Sequence, residues 1–134
     1  MPITALYAGL LTLLFILLSI RVIRQRRTAQ VAIGHGEDAT LLRRMRVHAN
    51  FAEYVPLALI LMALLESMKA SVYLLHGLGL ALLAGRCIHA FGVSQSRENI
   101  SLRIIGMTLT FAVLGVAALN CVLMSALGRL SFAP

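Results

Sequence analysis

The sequence has few charged residues. Only 13% of its 134 residues are Asp, Glu, Lys or Arg, whereas 60% are hydrophobic. A soluble globular domain is nearer one half apolar and has about a quarter of its residues charged. Because a chain this short cannot bury so much apolar surface in one water-soluble core, the composition excludes an ordinary soluble domain. It predicts that lipid surrounds the chain.

The sequence also lacks the residue patterns of metal sites, disulfides and hydrolase active sites. The histidines show no paired metal-ligand spacing, so no metal site is predicted. The two cysteines lie singly inside apolar runs, which is typical of small packing groups rather than of a disulfide. There is no phosphate-binding loop, nucleophile elbow or paired-carboxylate arrangement, which argues against a hydrolase. The first apolar run follows no basic region and is too long for a signal peptide, so we expect it to be a true span.

Four apolar runs are long enough to cross a bilayer, which takes about 20 residues. Backbone groups in lipid must be satisfied within a helix or a closed barrel. The runs lack the two-residue alternation of barrel strands. We therefore predict one all-α domain, an integral membrane four-helix bundle, with residues 94–99 as a polar loop. The predicted spans cover residues of about 3–23, 47–68, 72–93 and 100–127.

Basic residues concentrate on one side of the predicted bundle. Between the first and second spans lie Arg21, Arg24, Arg26, Arg27, Arg43, Arg44 and Arg46. Arg97 and Arg103 flank the link between the third and fourth spans, whereas the opposite side has only Lys69 and Arg129. The positive-inside rule then places both basic links in the cytoplasm and both termini outside. Because the arginines lie at span ends and within spans, not on a soluble basic face, no nucleic-acid partner is expected.

The second predicted helix opens with a polar cluster. Arg46, Asn50 and Glu53 are spaced i, i+4 and i+7, so they share one helix face, whereas His48 lies off it. Ionisable side chains at membrane depth are costly and are candidate functional groups. Two interpretations remain open. Arg46 and Glu53 form an interior ion pair, or the cluster forms a pocket in which arginine binds a carboxylate and the other residues bind an amide or an ammonium.

The third predicted helix repeats this arrangement. Arg86 and His89 are spaced i and i+3, while Gly77, Ala81 and Gly85 form a stripe of small residues. Such stripes let helices approach closely in lipid. We therefore predict that this helix packs tightly and turns Arg86 toward a polar interior. His89 is either a packing residue or part of the site.

The stretch from Arg46 to Pro56 resembles the second-helix motif of the MAPEG family, the membrane-associated proteins in eicosanoid and glutathione metabolism. That motif is an arginine, an asparagine, a glutamate, a tyrosine and a proline, present here as Arg46, Asn50, Glu53, Tyr54 and Pro56. Weaker matches are Val22-Ile23 with Arg26-Arg27, Gly85-Arg86 with His89, and Arg103 with Gly106. The resemblance covers nearly the whole chain and is closest to the short bacterial members, which implies the bacterial inner membrane.

The resemblance implies a homotrimer of four-helix subunits that binds glutathione as a cosubstrate at subunit interfaces. It implies that glutathione is bound by Arg46, Asn50, Glu53 and Tyr54, with support from Arg26, His48, Arg86 and His89. Arg103 would be catalytic and face the thiol, and Arg27 stands where some members place a second catalytic arginine. The expected activity is that of a glutathione transferase or peroxidase acting on lipophilic small molecules from the bilayer.

Two departures argue against an eicosanoid substrate. His89 and Val93 stand where the leukotriene-forming members have tyrosines, and the loop before Arg103 is a few residues longer. One alternative is a non-catalytic membrane protein of the same fold that binds lipid or glutathione, although the retained Arg103 favours an enzyme. Another is a small multidrug exporter. It ranks last, because such exporters need a carboxylate in the first span and residues 3–20 contain none.

Overall fold

The chain forms four helices and no other regular secondary structure in the part that the structure describes. A computed structural model describes residues 1–95 and 99–130, with residues 128–130 described by their backbone alone. The helices are α1 (Pro2–Ala29), α2 (Ala39–Ser67), α3 (Val72–Ser94) and α4 (Ile100–Leu130). Each is long and apolar enough to cross a membrane. The predicted all-α fold with four membrane-spanning helices is therefore confirmed.

Helix α1 continues beyond its predicted end at residue 23. Its last turn contains Arg26 and Arg27, and Gln30 ends it in the left-handed conformation at φ 53°. Arginine propagates helices well and interacts favourably with the negative end of the helix dipole. The change to polar residues therefore marks where α1 leaves the lipid, not where it ends. At the other basic link, residues 96–98 of the predicted loop, including Arg97, lie outside the described residues.

The α1–α2 loop ends in a strong helix cap. Gly34 and Gly36 take positive φ angles of 74° and 56°, which are readily available to glycine. The Asp38 carboxylate then accepts hydrogen bonds from the amides of Thr40 (2.8 Å) and Leu41 (3.0 Å). These bonds satisfy amides that would otherwise lack partners at the start of a helix. They explain why α2 begins at Ala39, well before its apolar part.

Two contacts fasten the opposite end of the bundle. The Glu66 carboxylate, in the last turn of α2, accepts hydrogen bonds from the amides of Ile3 (3.0 Å) and Thr4 (2.8 Å) at the start of α1. A carboxylate is favourable at a helix N-terminus because it meets the positive end of the dipole. The Tyr7 hydroxyl lies 3.0 Å from Nδ1 of His76, which joins α1 to α3.

Helices α2 and α3 form the centre of the bundle. Helix α1 packs against both from one side and α4 from the other, and within the described ranges α1 and α4 do not touch. The closest approach is between α3 and α4, where a Cβ added to Gly106 would lie 2.6 Å from Cβ of His89. Gly85 and Gly92 are the small residues of α3 at this contact, whereas Gly77 faces open space. The predicted close packing is present and uses Gly85 of the predicted stripe, with Gly92 instead of Gly77.

The outer surface of the bundle is apolar along its length. Large hydrophobic side chains that remain exposed include Leu13, Leu17, Leu57, Ile60, Phe91, Phe111, Leu119 and Leu123. Water would disfavour so extensive an apolar surface, whereas acyl chains solvate it. The exposed side chains therefore agree with the lipid environment inferred from composition.

Candidate functional site

A cavity of about 410 Å³ opens between α2, α3 and α4, toward the end of the bundle where α2 and α4 begin. Small-molecule sites commonly enclose about 300–1,000 Å³. The residues that line it are Leu42, Arg43, Arg46, Asn50, Tyr54, His89, Val93, Arg103 and Met107. Five predicted site residues are therefore brought together: Arg46, Asn50, Tyr54, His89 and Arg103.

One stripe of α2 forms the wall of this cavity. Arg43, Arg46, Asn50 and Tyr54 follow one another at intervals of three or four residues, so they lie on the same helix face. Helical spacing in the sequence predicted Glu53, not Tyr54, as the third member of this face. The Tyr54 ring is held in an edge-to-face contact with Phe111 of α4, 5.3 Å between ring centroids.

Glu53 lies on the outer surface of α2 and does not line the cavity. At a rise of about 1.5 Å per residue it is about 21 Å from the end of α2 at Ser67, which is within a hydrocarbon core about 30 Å thick. No residue in the described ranges forms an ion pair with it. The Arg46 and Glu53 side chains therefore do not form the ion pair that was one of the two interpretations of this cluster. A carboxylate in this position is costly unless something other than lipid covers it.

Arg86 is completely buried behind the cavity. Its guanidinium donates to Oδ1 of Asn50 (2.7 Å) and to Oγ1 of Thr110 (3.4 Å), and it lies 5.6 Å from the centre of the Phe51 ring. The Thr110 hydroxyl in turn donates to the carbonyl of Gly106 at 2.8 Å. Neutral acceptors and an aromatic face thus surround this cation. The prediction that α3 turns Arg86 toward a polar interior agrees with the structure.

Among the described residues, three arginines and no carboxylate line the cavity. Arg43, Arg46 and Arg103 contribute positive charge, and the remaining lining residues are neutral amide, phenol, imidazole or apolar groups. Arg103 is exposed in the first turn of α4, where the helix dipole adds to the positive potential. His89 is nearly buried in the opposite wall. Such a surface favours an anionic ligand.

Arg26 and Arg27 do not line this cavity. The Arg26 guanidinium donates to the backbone carbonyls of Ala32 (3.2 Å) and Gly34 (2.8 Å), so it holds the α1–α2 loop in place. Arg27 is exposed on α1 and does not line the cavity.

His48 faces α1 instead of the cavity. Its Nε2 lies 3.1 Å from the Ser19 hydroxyl, and its ring stacks on Phe15 with 4.6 Å between centroids. These contacts join α1 and α2 at membrane depth. They agree with the sequence observation that His48 lies off the Arg46 face.

Arg43, Met107 and Thr110 were not among the site residues predicted from the sequence. Arg43 was counted only as a topology signal, although it precedes Arg46 by one helical turn. Met107 lines the cavity and Thr110 binds Arg86. Both follow Arg103 at i+4 and i+7, which is the periodicity that would have placed them on the same face.

Comparison with known proteins agrees with this architecture. The model of the MAPEG family matches residues 4–123. Two relatives named inner membrane protein YecN, from Escherichia coli strains K12 and CFT073 (O6:H1), are each 40% identical over 90 residues. That alignment covers 67% of this chain and 69% of each relative. Together with the four apolar helices, these relatives support a multi-pass protein of the bacterial inner membrane.

Proposed function

The chain belongs to the MAPEG family, and we propose that it is a glutathione-dependent membrane enzyme, a transferase or peroxidase acting on lipophilic electrophiles. One observation carries the proposal. In the described ranges, the cavity between α2, α3 and α4 presents three arginines and no carboxylate, at the end of the bundle where α2 and α4 begin. Bilayer solubility concentrates the lipophilic substrate there, and the aqueous side supplies glutathione.

The chemistry of glutathione suits this cavity. The tripeptide has two carboxylates, an ammonium, two amides and a thiol. Arg43 and Arg46 can each bind a carboxylate through two parallel hydrogen bonds. The oxygen of Asn50 is already bonded to Arg86, so its NH₂ group is the one it offers to an acceptor on the ligand. Tyr54 and His89 supply a hydroxyl and an imidazole to the amide part.

The exposed Glu53 supports a multi-subunit site. On the outer face of α2, Glu53 continues into Leu57, Ile60 and Leu64 at i+4, i+7 and i+11, and all of these are exposed. A second copy packed on this stripe would remove the carboxylate from lipid and bury the apolar side chains. Glu53 would then be available to the glutathione ammonium. We propose the homotrimer that the family resemblance implies.

Arg103 is the proposed thiol-activating residue. Glutathione reacts as its thiolate, and a free thiol of this kind has a pKa of about 8.5, so little of it is ionised at neutral pH. A fixed guanidinium beside the sulfur favours the charged form, and arginine cannot take the proton back. Arg103 lies at the cavity mouth beside the start of α4. Arg27, presented by a neighbouring subunit, is the second candidate for this role.

Calorimetric titration of the purified protein with glutathione tests the proposal. We expect saturable binding by the wild type and at least about a tenfold loss in Arg46→Gln, equivalent to about 1.4 kcal/mol. Lys69→Gln is the control, because it removes one positive charge at the opposite end of the bundle. Absence of binding by the wild type, or equal affinity in both variants, would overturn the proposed ligand.

Turnover is then measured with a generic aryl halide and with an organic hydroperoxide. Loss of thiol with the halide identifies conjugation, and formation of glutathione disulfide with the hydroperoxide identifies reduction. Binding with neither product would instead support the non-catalytic alternative.

Native mass spectrometry of the same sample tests assembly, since a strictly monomeric species that binds glutathione would exclude the interface site.

A further inference from the structure

A second cavity, of about 440 Å³, lies between α1 and α3. It shares no lining residue with the cavity described above and contains no residue of α2 or α4. Its walls are mostly apolar, and its end nearest the α1–α2 loop is basic. The lining residues are Leu14, Leu17, Leu18, Ile20, Arg21, Arg24, Cys87, Ala90 and Phe91.

The basic end of this groove contains two arginines that form no ion pair with a described residue. Arg21 and Arg24 are spaced i and i+3, so both guanidinium groups lie on the α3-facing side of α1. No carboxylate within the described ranges forms an ion pair with either. Arg44 of α2 adds a third cation, because its guanidinium donates to the Arg21 carbonyl at 3.1 Å, although the Asp38 carboxylate partly offsets its charge. Repulsion among these groups is relieved most effectively by a bound anion.

The rest of the groove suits a hydrocarbon chain. From Arg24 to Leu14 the groove extends about 15 Å along α1, at about 1.5 Å per residue. Leu17 and Phe91 border it with 59% and 61% of their surfaces exposed. An acyl chain lying between them would cover both side chains. The groove therefore combines a site for a headgroup with a site for a tail.

We propose that the α1–α3 groove binds one anionic phospholipid, with its phosphate on Arg21 and Arg24 and an acyl chain along Leu17 and Phe91. Arginine binds phosphate bidentately. Basic pockets between transmembrane helices are known sites for anionic headgroups. A zwitterionic lipid brings its own ammonium into a cluster of three cations, so it neutralises that cluster less well. The bilayer itself supplies the ligand at the right depth.

The groove is compatible with the assembly proposed above but does not depend on it. The subunit contacts proposed for the trimer involve the outer face of α2 and the end of α1 that carries Arg27, whereas the groove lies between α1 and α3 and Arg27 does not line it. Subunits that meet through these surfaces leave the groove open to the bilayer. The lipid site and the glutathione site are independent hypotheses.

Native mass spectrometry of delipidated protein tests the lipid site. The protein in detergent is titrated with dioleoyl phosphatidylglycerol or with dioleoyl phosphatidylethanolamine, which have the same tails. We expect at least about a tenfold preference for the anionic lipid, and loss of that preference in Arg21→Gln/Arg24→Gln. Arg27→Gln is the matched control, since it removes the same charge from the same helix outside the groove.

A single variant and a competitor without acyl chains provide two further tests of the lipid site. Arg24→Gln alone changes an exposed side chain, so it shows the effect even if the double variant folds poorly. Glycerol 3-phosphate, which lacks tails, should not displace the lipid. Equal binding of the two lipids by the wild type would overturn the proposal. So would an equal loss in Arg27→Gln, or full displacement by glycerol 3-phosphate.

Discussion

The guanidinium of Arg86 donates to the side-chain oxygen of Asn50 across 2.7 Å, and this bond joins a fully buried cation of α3 to the wall of the candidate site on α2. The bond fixes the orientation of the Asn50 amide. Its oxygen is directed inward and its NH₂ group is left for a ligand. The buried arginine therefore positions the site without lining it.

Asn50→Ala should destabilise the protein, because it removes the shortest hydrogen bond made by a buried cation. The expected loss is about 1.5–3 kcal/mol, the range for hydrogen bonds to charged groups. Asn50→Asp is the control. It keeps an acceptor for Arg86 but should weaken glutathione binding by adding negative charge beside the carboxylate sites. Thermal unfolding in detergent measures the first effect and calorimetry the second. An unchanged melting temperature in Asn50→Ala would contradict the structural role of the bond.

Gly106→Ala should separate α3 from α4. The added Cβ would lie 2.6 Å from Cβ of His89 and 2.7 Å from the Gly85 carbonyl, so the helices must move apart. Overpacking of this kind costs about 1–3 kcal/mol. Because His89 lines the cavity, glutathione affinity should fall as well. Gly115→Ala, on the same helix with nothing within 4 Å, should be neutral or slightly stabilising. Equal melting temperatures for the two variants would refute the close contact.

Arg103→Leu should separate binding from thiol activation. If the guanidinium lowers the thiol pKa by about 1–3, the thiolate fraction at neutral pH falls at least about tenfold without it. Glutathione should still bind through Arg43 and Arg46, whereas ultraviolet thiolate absorbance and turnover should fall. Activity should partly return at higher pH, where the thiol ionises unaided. Should the variant keep both thiolate signal and rate, Arg103 would be a membrane anchor and Arg27 the next residue to change.

The first turn of α2 should become less stable at acidic pH, where the Asp38 carboxylate is protonated. The pKa of the Asp38 carboxyl lies below its ordinary value, chiefly because Gln25 donates a hydrogen bond at 2.6 Å, with further bonds from the Leu41 and Thr40 amides. A lowered pKa means that the cap is fully effective above the unfolded value of about 3.9. Its contribution is lost as the pH falls through the lower folded value. Hydrogen exchange in the first turn of α2 should therefore accelerate in that acidic range.

Asp38→Ala should show the same fast exchange at neutral pH. Glu37→Ala is the control, because Glu37 is an exposed neighbouring carboxylate that makes no hydrogen bond to the described residues. Identical exchange profiles in the two variants would show that the cap does not control where α2 begins.

Hydropathy predicted the four helices, because every helix that crosses a bilayer needs about 20 mostly apolar residues in a row. The site was harder to predict. Periodicity places Arg46, Asn50 and Glu53 within about 60° of one another around the axis of α2. It does not determine whether this face of the helix is directed toward the other helices or toward the lipid. Packing against α3 and α4 turns the helix so that Asn50 and Tyr54 line the cavity and Glu53 falls at its outer edge. That rotation depends on the contacts among three helices. The residues of α2 alone do not determine it.

The contact between Glu66 and the first turn of α1 has a consequence for biogenesis. The amide of Ile3 finds its acceptor 63 positions later in the chain. During synthesis the Ile3 and Thr4 amides therefore lack this acceptor until Glu66 has been added to the chain and the end of α2 lies beside the start of α1. The first turn of α1 gains this contact only when α1 and α2 have formed a hairpin.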